Sequence, residues 1–370
     1  MKIIEETYPL ADFAGVMPYF SEASLFLDIE TTGFDAKRQP VYLIGTAYRK
    51  DDALHVVLCF AESPDAETEI LQAFLDKLSN YREIITFNGE GFDIPYLQKR
   101  CELHHLIDLS AASFVDAYAL ASIDLLKSVR SHKKLLHLDR CNQKSIEAFL
   151  GIEREDTYDG GQLIEVYRRY AKQPNEADEA LLLQHNLDDV RGMVRLLPML
   201  AYNKLQNAEL TVENADWDVD ASLLTLTLSM NVTLPKPIRI HEDAYYFILE
   251  ENRLKAALPF IHGELRYFFP YPAQYVYLLR EGTVIPKMLA SSIPTAEKRP
   301  AKQEECYSTM MGDFLAIDRA VYRKNPAFFE DERIFQKNWS DDLYYIKTDP
   351  QATDMQNICG YVSLLLRQHL

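Results

Sequence analysis

Leu25-Phe26-Leu27-Asp28-Ile29-Glu30-Thr31-Thr32-Gly33 is the stretch on which the fold turns. Leu25 to Leu27 read as a buried strand. Asp28 and Glu30 stand two apart, so in an extended chain both side chains leave the same face. Two anions side by side repel each other, and a divalent cation between them reverses that sign. Gly33 then releases the chain into a turn. Taken alone, such a pair also reads as a solvated strand end, because carboxylates are commonly exposed.

Around this strand the chain alternates strand and helix patterns. Residues 41–48 and 54–60 are further strand candidates, 67–78 is helical, and 84–87 is a short strand. Three hairpin-like strands followed by helix, strand and helix predict a mixed α/β sheet with helices packed on it. From about residue 111 to about 200 the pattern is helical.

A second constellation follows the short strand. Thr86-Phe87-Asn88-Gly89-Glu90-Gly91-Phe92 is a Gly-bearing turn, and Asp93 opens a helix with Pro95 near its start. Asp93 reads either as a helix cap or as a third carboxylate aimed at the first two. A third constellation lies on a helix over about 177–197. At about 100° per residue, Gln184, Asp188, Arg191 and Arg195 fall on one stripe, read as the water face. Leu183, Leu187, Val190, Val194 and Leu197 form the core stripe. His185, Asp189 and Gly192 lie between, with His185 and Asp189 one turn apart. His185 alone also reads as a half-buried, hydrogen-bonded histidine.

These residues are familiar as a set. Asp28-Ile-Glu30-Thr-Thr-Gly resembles the first motif of the DEDD superfamily of 3′–5′ exonucleases, whose fold is ribonuclease H-like. Thr86-Phe-Asn88-Gly-Glu-Gly-Phe-Asp93-Ile-Pro-Tyr-Leu resembles the second motif in proofreading domains of B-family DNA polymerases. His185-Asn-Leu-Asp-Asp189 has the spacing of the third, with His where that branch has Tyr. The likeness covers roughly residues 20–200. Within the superfamily it is nearest to the YprB-type ribonuclease H-like predicted exonucleases, where Gly160-Gly161 and a His-Asn-x-x-Asp helix also occur together.

The resemblance implies a metal-dependent 3′–5′ exonuclease. It implies two divalent ions, Mg²⁺ or Mn²⁺, held by Asp28, Glu30, Asp93 and Asp189, with His185 as a fifth catalytic residue acting on the attacking water. It also implies that Ile29, Thr31, Thr32 and Asn88 contact the terminal nucleotide of a nucleic acid, expected to present a single-stranded 3′ end. Asp116 is a weaker candidate near the site, and reads equally as a helix start. The rival readings are a non-catalytic ribonuclease H-like module that binds nucleic acid or protein, and an endonuclease of the same fold.

Composition bounds these readings. The chain has 370 residues, 48% of them hydrophobic, with 13 Gly and 17 Pro. That excludes a disordered, collagen-like or disulfide-stapled protein. The five cysteines make no CxxC clip. No apolar run reaches membrane-spanning length and the first residues lack a signal-peptide core, so a cytoplasmic setting is expected. The net charge of −17 argues against tight non-specific polyanion binding. Residues 127–144 run against it, with Lys127, Arg130, Lys133, Lys134, Arg140 and Lys144 opposed by Asp139 alone. Lys133 and Lys134 are substrate-binding candidates on a phosphate-tracking strip, and a plain solvated face is the other reading. If the segment is one helix, Lys133, His137, Arg140 and Lys144 share a face; otherwise Asn142 starts a new helix.

Near residue 210 the character changes to β-branched residues, prolines and, over 265–279, aromatics. We therefore expect a ribonuclease H-like domain over 1–205 and a smaller, mostly-β or α+β domain of unknown role over 206–370. The aromatics at 267–277 read as strand core or as a base-stacking surface. The stretch from 294 to 305 reads as a loop.

Overall fold

The computed structural model describes residues 1–107, 114–153, 160–330, 332–348 and 356–370. Backbone packing divides the chain into two compact units. One comprises residues 1–205 with 234–236 and 370, the other 206–233 with 237–369.

The first unit is built on β1 (Lys2–Pro9), β2 (Ser24–Thr31), β3 (Val41–Lys50), β4 (Ala53–Phe60), β5 (Glu83–Thr86) and β6 (Ala121–Asp124). They form one mixed sheet in the order β1-β4-β3-β2-β5-β6. β5 runs parallel to β2 and to β6, and the other pairings are antiparallel. β1 and β6 were not expected. β1 is a polar edge strand carrying Lys2, Glu5, Glu6 and Thr7, which hide the strand pattern, and β6 has only four residues.

The helices are α1 (Glu67–Leu78), α2 (Asp93–Leu103), α3 (Phe114–Ala117), α4 (Leu125–Ser131), α5 (Gln143–Leu150), α6 (Gly160–Lys172), α7 (Glu176–Leu196) and α8 (Ala201–Lys204). β2 is sorted by the period-2 rule. Leu25, Leu27 and Ile29 join Ile70, Leu71, Phe74 and Leu75 of α1 and Leu97 of α2 in one core. Each such buried side chain contributes roughly 1.5–3 kcal/mol. The alternate residues, Asp28 and Glu30, meet α7, which lies along β2, β3 and β4.

Of the two readings of the basic segment, the one in which Asn142 starts a new helix holds. α4 stops at Ser131, a turn follows, and Asn142 caps α5 by accepting from Ser145 N–H at 2.8 Å, so the shared face of Lys133, His137, Arg140 and Lys144 does not form. On α7 the stripe read as the water face is partly covered. The guanidinium of Arg191 lies 4.2 Å from the Tyr8 ring centroid and that of Arg195 lies 5.3 Å from that of Phe13, while Asp188 and both arginines are half-buried. Leu182 and Asn186 are fully buried, whereas Leu183 is half-buried.

The second unit holds β7 (Leu210–Asp218), β8 (Leu223–Met230), β9 (Ile238–Glu242), β10 (Tyr245–Glu250), β11 (Arg253–Phe268), β12 (Tyr275–Leu278), β13 (Thr283–Pro286), β14 (Lys298–Pro300), β15 (Tyr307–Asp318), β16 (Ile334–Phe335) and β17 (Leu343–Thr348), with α9 (Arg319–Lys324) and α10 (Gln356–Leu366). β11 is the spine of an antiparallel sheet, pairing with β8 and β10 along its first half and with β15 along its second. β12, β13 and β14 form a separate small sheet, so the stretch read as a loop contains a strand. Of the aromatic run, Phe268 is buried, while Tyr271 is 65% exposed. Among the described residues no helix is long and apolar enough to cross a membrane. All five cysteines are free.

Candidate metal centre

The site begins where β2 outruns its neighbour. The parallel ladder with β5 covers only Ser24 to Phe26. Beyond it the backbone N–H of Ile29 needs another acceptor, since a buried unpaired donor is costly. It donates to Asp93 Oδ1 at 3.1 Å. Asp93 is the first residue of α2, and Phe92 in the cap position supplies no side-chain cap. Asp93 is therefore aimed at the strand that carries Asp28 and Glu30. Burial pushes its carboxyl up to about 7. The Ile29 N–H and its own N–H oppose that shift, and the charge of Asp124 adds to it.

The turn before α2 is held from below. Asn88 has a left-handed backbone, φ 66°. The N–H groups of Asn88 and Glu90 donate to Asp124 at 3.0 and 3.3 Å, and Asp124 also accepts the N–H of Lys127 at 3.2 Å as the cap of α4. Gly89 is required here, because a Cβ would lie 2.4 Å from that of Thr86.

α7 closes the site. Its first turn is fixed by Asn175, which accepts the N–H of Asp178 at 2.9 Å, and by the Arg169–Asp178 ion pair. Farther along, His185 Nε2 lies 3.5 Å from Glu30 Oε1 and 3.2 Å from Asp189 Oδ2. Glu30, His185 and Asp189 each offer a ligand atom within 4.8 Å of the others. The next residue, Asn186, donates from Nδ2 to Asp28 Oδ2 at 2.7 Å. Tyr42, stacked on Tyr167, donates to Glu30 Oε2 at 3.5 Å. Burial, with the charge of Glu30, holds the Tyr42 hydroxyl well above its usual range. The expected carboxylates are thus joined as two linked groups: Glu30 with Asp189 through His185, and Asp93 with the backbone between Asp28 and Glu30.

The substrate-binding candidates are placed differently. Ile29 is buried and contributes its N–H to Asp93. The Thr31 hydroxyl donates to Gly33 O at 2.7 Å, and that of Thr32 to Pro40 O at 3.4 Å, so both are tied into their own loop. Lys133 and Lys134 are exposed in the turn after α4, where Lys133 N–H donates to Arg130 O at 3.3 Å and the two carbonyls accept from Leu138 and His137. Asp116 lies on the short α3 and is exposed. Gly192 admits α5, since a Cβ there would lie 2.1 Å from Glu147 Oε1, and Gln143 Nε2 reaches Asp189 O at 2.8 Å.

Sequence reasoning missed Asn186, Gly45, Asp124 and a buried clasp behind the loop after β2. In that clasp Glu67 accepts from Val41 N–H at 2.8 Å and from Arg100 Nε at 2.7 Å, and His104 Nε2 lies 2.8 Å from it. Arg100 also donates to Ala36 O at 3.0 Å. Only Asp124 had a local signal, as an aspartate directly before a helix.

Residues 25–201 match the family model described as the RNase_H superfamily. The first unit has a ribonuclease H-like fold. Among solved structures, the family B DNA polymerase from the hyperthermophilic archaeon Pyrobaculum calidifontis is similar with a TM-score of 0.39 and 14% identity, over 94% of this chain and 46% of the polymerase chain. The chain thus spans about half the length of that polymerase. No curated protein matches the sequence.

Proposed function

We propose that the ribonuclease H-like unit is a metal-dependent nuclease that removes nucleotides from the 3′ end of a nucleic acid. The observation that carries this reading is the convergence on α7. His185 and Asp189, one turn apart, meet Glu30, while Asn186 meets Asp28, so one helix face engages both carboxylates of the first motif.

The donor set fits a hard divalent ion. It consists of carboxylate oxygens with one imidazole, and Mg²⁺ and Mn²⁺ take such oxygens. Asp28, Glu30, Asp93 and Asp189 would hold two ions, and substrate phosphate would complete their coordination. Bound ions supply Lewis-acid charge for in-line displacement at phosphorus. His185 would orient and deprotonate the attacking water, since an imidazole nitrogen can accept a proton. Ile29, Thr31, Thr32 and Asn88 would offer the backbone against which a terminal nucleotide rests, and Lys133 and Lys134 would draw in its phosphates.

The test uses purified protein, Mn²⁺ and end-labelled single-stranded, duplex and hybrid substrates, with free and blocked 3′ termini. We expect stepwise shortening that a blocked 3′ end prevents. Asp28→Ala and Asp189→Ala should each lower the rate roughly 100- to 1,000-fold, the scale of losing several kcal/mol of transition-state stabilisation. Full activity in either variant overturns the assignment, and internal cuts on blocked substrates point to an endonuclease.

A further inference from the structure

Asn186 sits beside the chemistry without belonging to the expected set. It is fully buried, and its Nδ2 donates to Asp28 Oδ2 at 2.7 Å. Its Oδ1 is also buried and has no hydrogen-bond partner among the described residues. A buried amide normally satisfies both ends, and one left half-satisfied needs a reason. Here the orphaned end fits against Gly45. That glycine is the register partner of Asp28 on β3, and a Cβ on it would lie 2.0 Å from Asn186 Oδ1 and 2.8 Å from Val190 Cγ2. The missing side chain on β3 therefore lets the amide of α7 lie over the strand pair and reach the carboxylate.

We infer that Asn186, seated by Gly45, is a positioning residue that fixes the rotamer of Asp28 for divalent-metal binding. This rests on the metal-dependent reading above. The residue type suits the task. Lysine or arginine at this position would offer a charge that competes with a cation, and aspartate would add a further repelling anion. Asparagine donates one hydrogen bond and adds no charge. It holds one oxygen of Asp28 without neutralising the carboxylate. Groups that orient metal ligands in this way typically change metal affinity 10- to 100-fold when removed.

The test is Mn²⁺ titration by calorimetry on the full chain, with the melting temperature recorded in parallel. Asn186→Leu keeps the branched heavy-atom skeleton and removes the donor. We expect Mn²⁺ affinity to fall at least 10-fold, and nuclease activity to return towards the wild-type rate at saturating Mn²⁺, a split that a general loss of folding would not give. Gly45→Ala should weaken Mn²⁺ in the same direction by displacing Asn186. In Asn186→Ala the amide is gone and Val190 Cγ2 is the remaining close neighbour of a Cβ at residue 45, so adding Gly45→Ala to it should lower affinity by less than Gly45→Ala does alone. If Asn186→Leu does not fold, Asn186→Ala with and without Gly45→Ala gives the same reading. Wild-type affinity in a folded Asn186 variant, or additive losses in the double variant, overturns the inference alone. Failure of the wild-type protein to bind Mn²⁺ overturns the metal-dependent reading and this inference together.

Discussion

Asp93 Oδ1 accepts the backbone N–H of Ile29 at 3.1 Å, at the point where β2 has run past the end of β5. One carboxylate thus stands in for a missing strand between Asp28 and Glu30, and in the proposed centre it would also hold metal. The two roles are separable. Asp93→Asn keeps an oxygen acceptor and loses the charge, so its stability should stay within about 1 kcal/mol of wild type while Mn²⁺-dependent activity disappears. Asp93→Ala removes the acceptor as well and should cost about 1–3 kcal/mol for the unpaired donor. Urea unfolding of both variants, beside a nuclease assay, checks the separation.

The clasp behind the loop is a second target. Arg100→Leu leaves Glu67 buried with its guanidinium partner gone and only Val41 N–H and His104 against it. Breaking a buried pair from one side is strongly destabilising, by about 3 kcal/mol or more. The double variant Glu67→Leu with Arg100→Leu removes both charges and should recover part of that loss. Chemical denaturation of the single and double variants provides the measurement.

The start of α7 carries a pH signature. Hydrogen bonds from Arg169, then from Asn175, lower the Asp178 carboxyl to about 2, against the opposing effect of burial. A carboxyl lowered in the folded state stabilises the fold above its unfolded value of about 3.9, and that stability is lost as pH falls towards 2. Wild type should therefore be more stable than Asp178→Asn at pH 5, with the gap closing between about pH 4 and pH 2. Paired melting curves across that range check it, and a constant gap would contradict it.

Lys133 and Lys134 test the substrate path. If both contact phosphate, Lys133→Glu with Lys134→Glu should weaken single-strand binding and flatten the slope of log K against log salt by roughly 1.4, about 0.7 for each lost contact. An unchanged slope assigns them to a plain solvated face.

The sequence made the fold of the first unit legible because its decisive strand is buried on both faces and its motif residues sit at strand and helix ends. Alternation alone sorted Asp28 and Glu30 from Leu25, Leu27 and Ile29, and 100° spacing placed His185 with Asp189. The rest lay beyond local pattern. β1 is polar because it is an edge strand, and β6 is too short to show a period. The α7 stripe of Gln184, Asp188, Arg191 and Arg195 read as solvated because its cover, Tyr8 and Phe13, comes from more than 160 residues earlier. Asn186 fell outside both stripes, and nothing near Gly45 in sequence says that it faces Asp28. Such pairings are products of tertiary contact, which spacing within one element does not encode.

Asp124 has a consequence of a genetic kind. It offers no ligand to the Glu30, His185 and Asp189 cluster, yet its one carboxylate accepts from Asn88, Glu90 and Lys127. It ties the second-motif turn to the start of the helix that leads into the basic segment. A screen for inactive alleles would return Asp124 beside the aspartates proposed to hold metal, and only the purified protein's affinity for metal would tell the hinge pin from the blade.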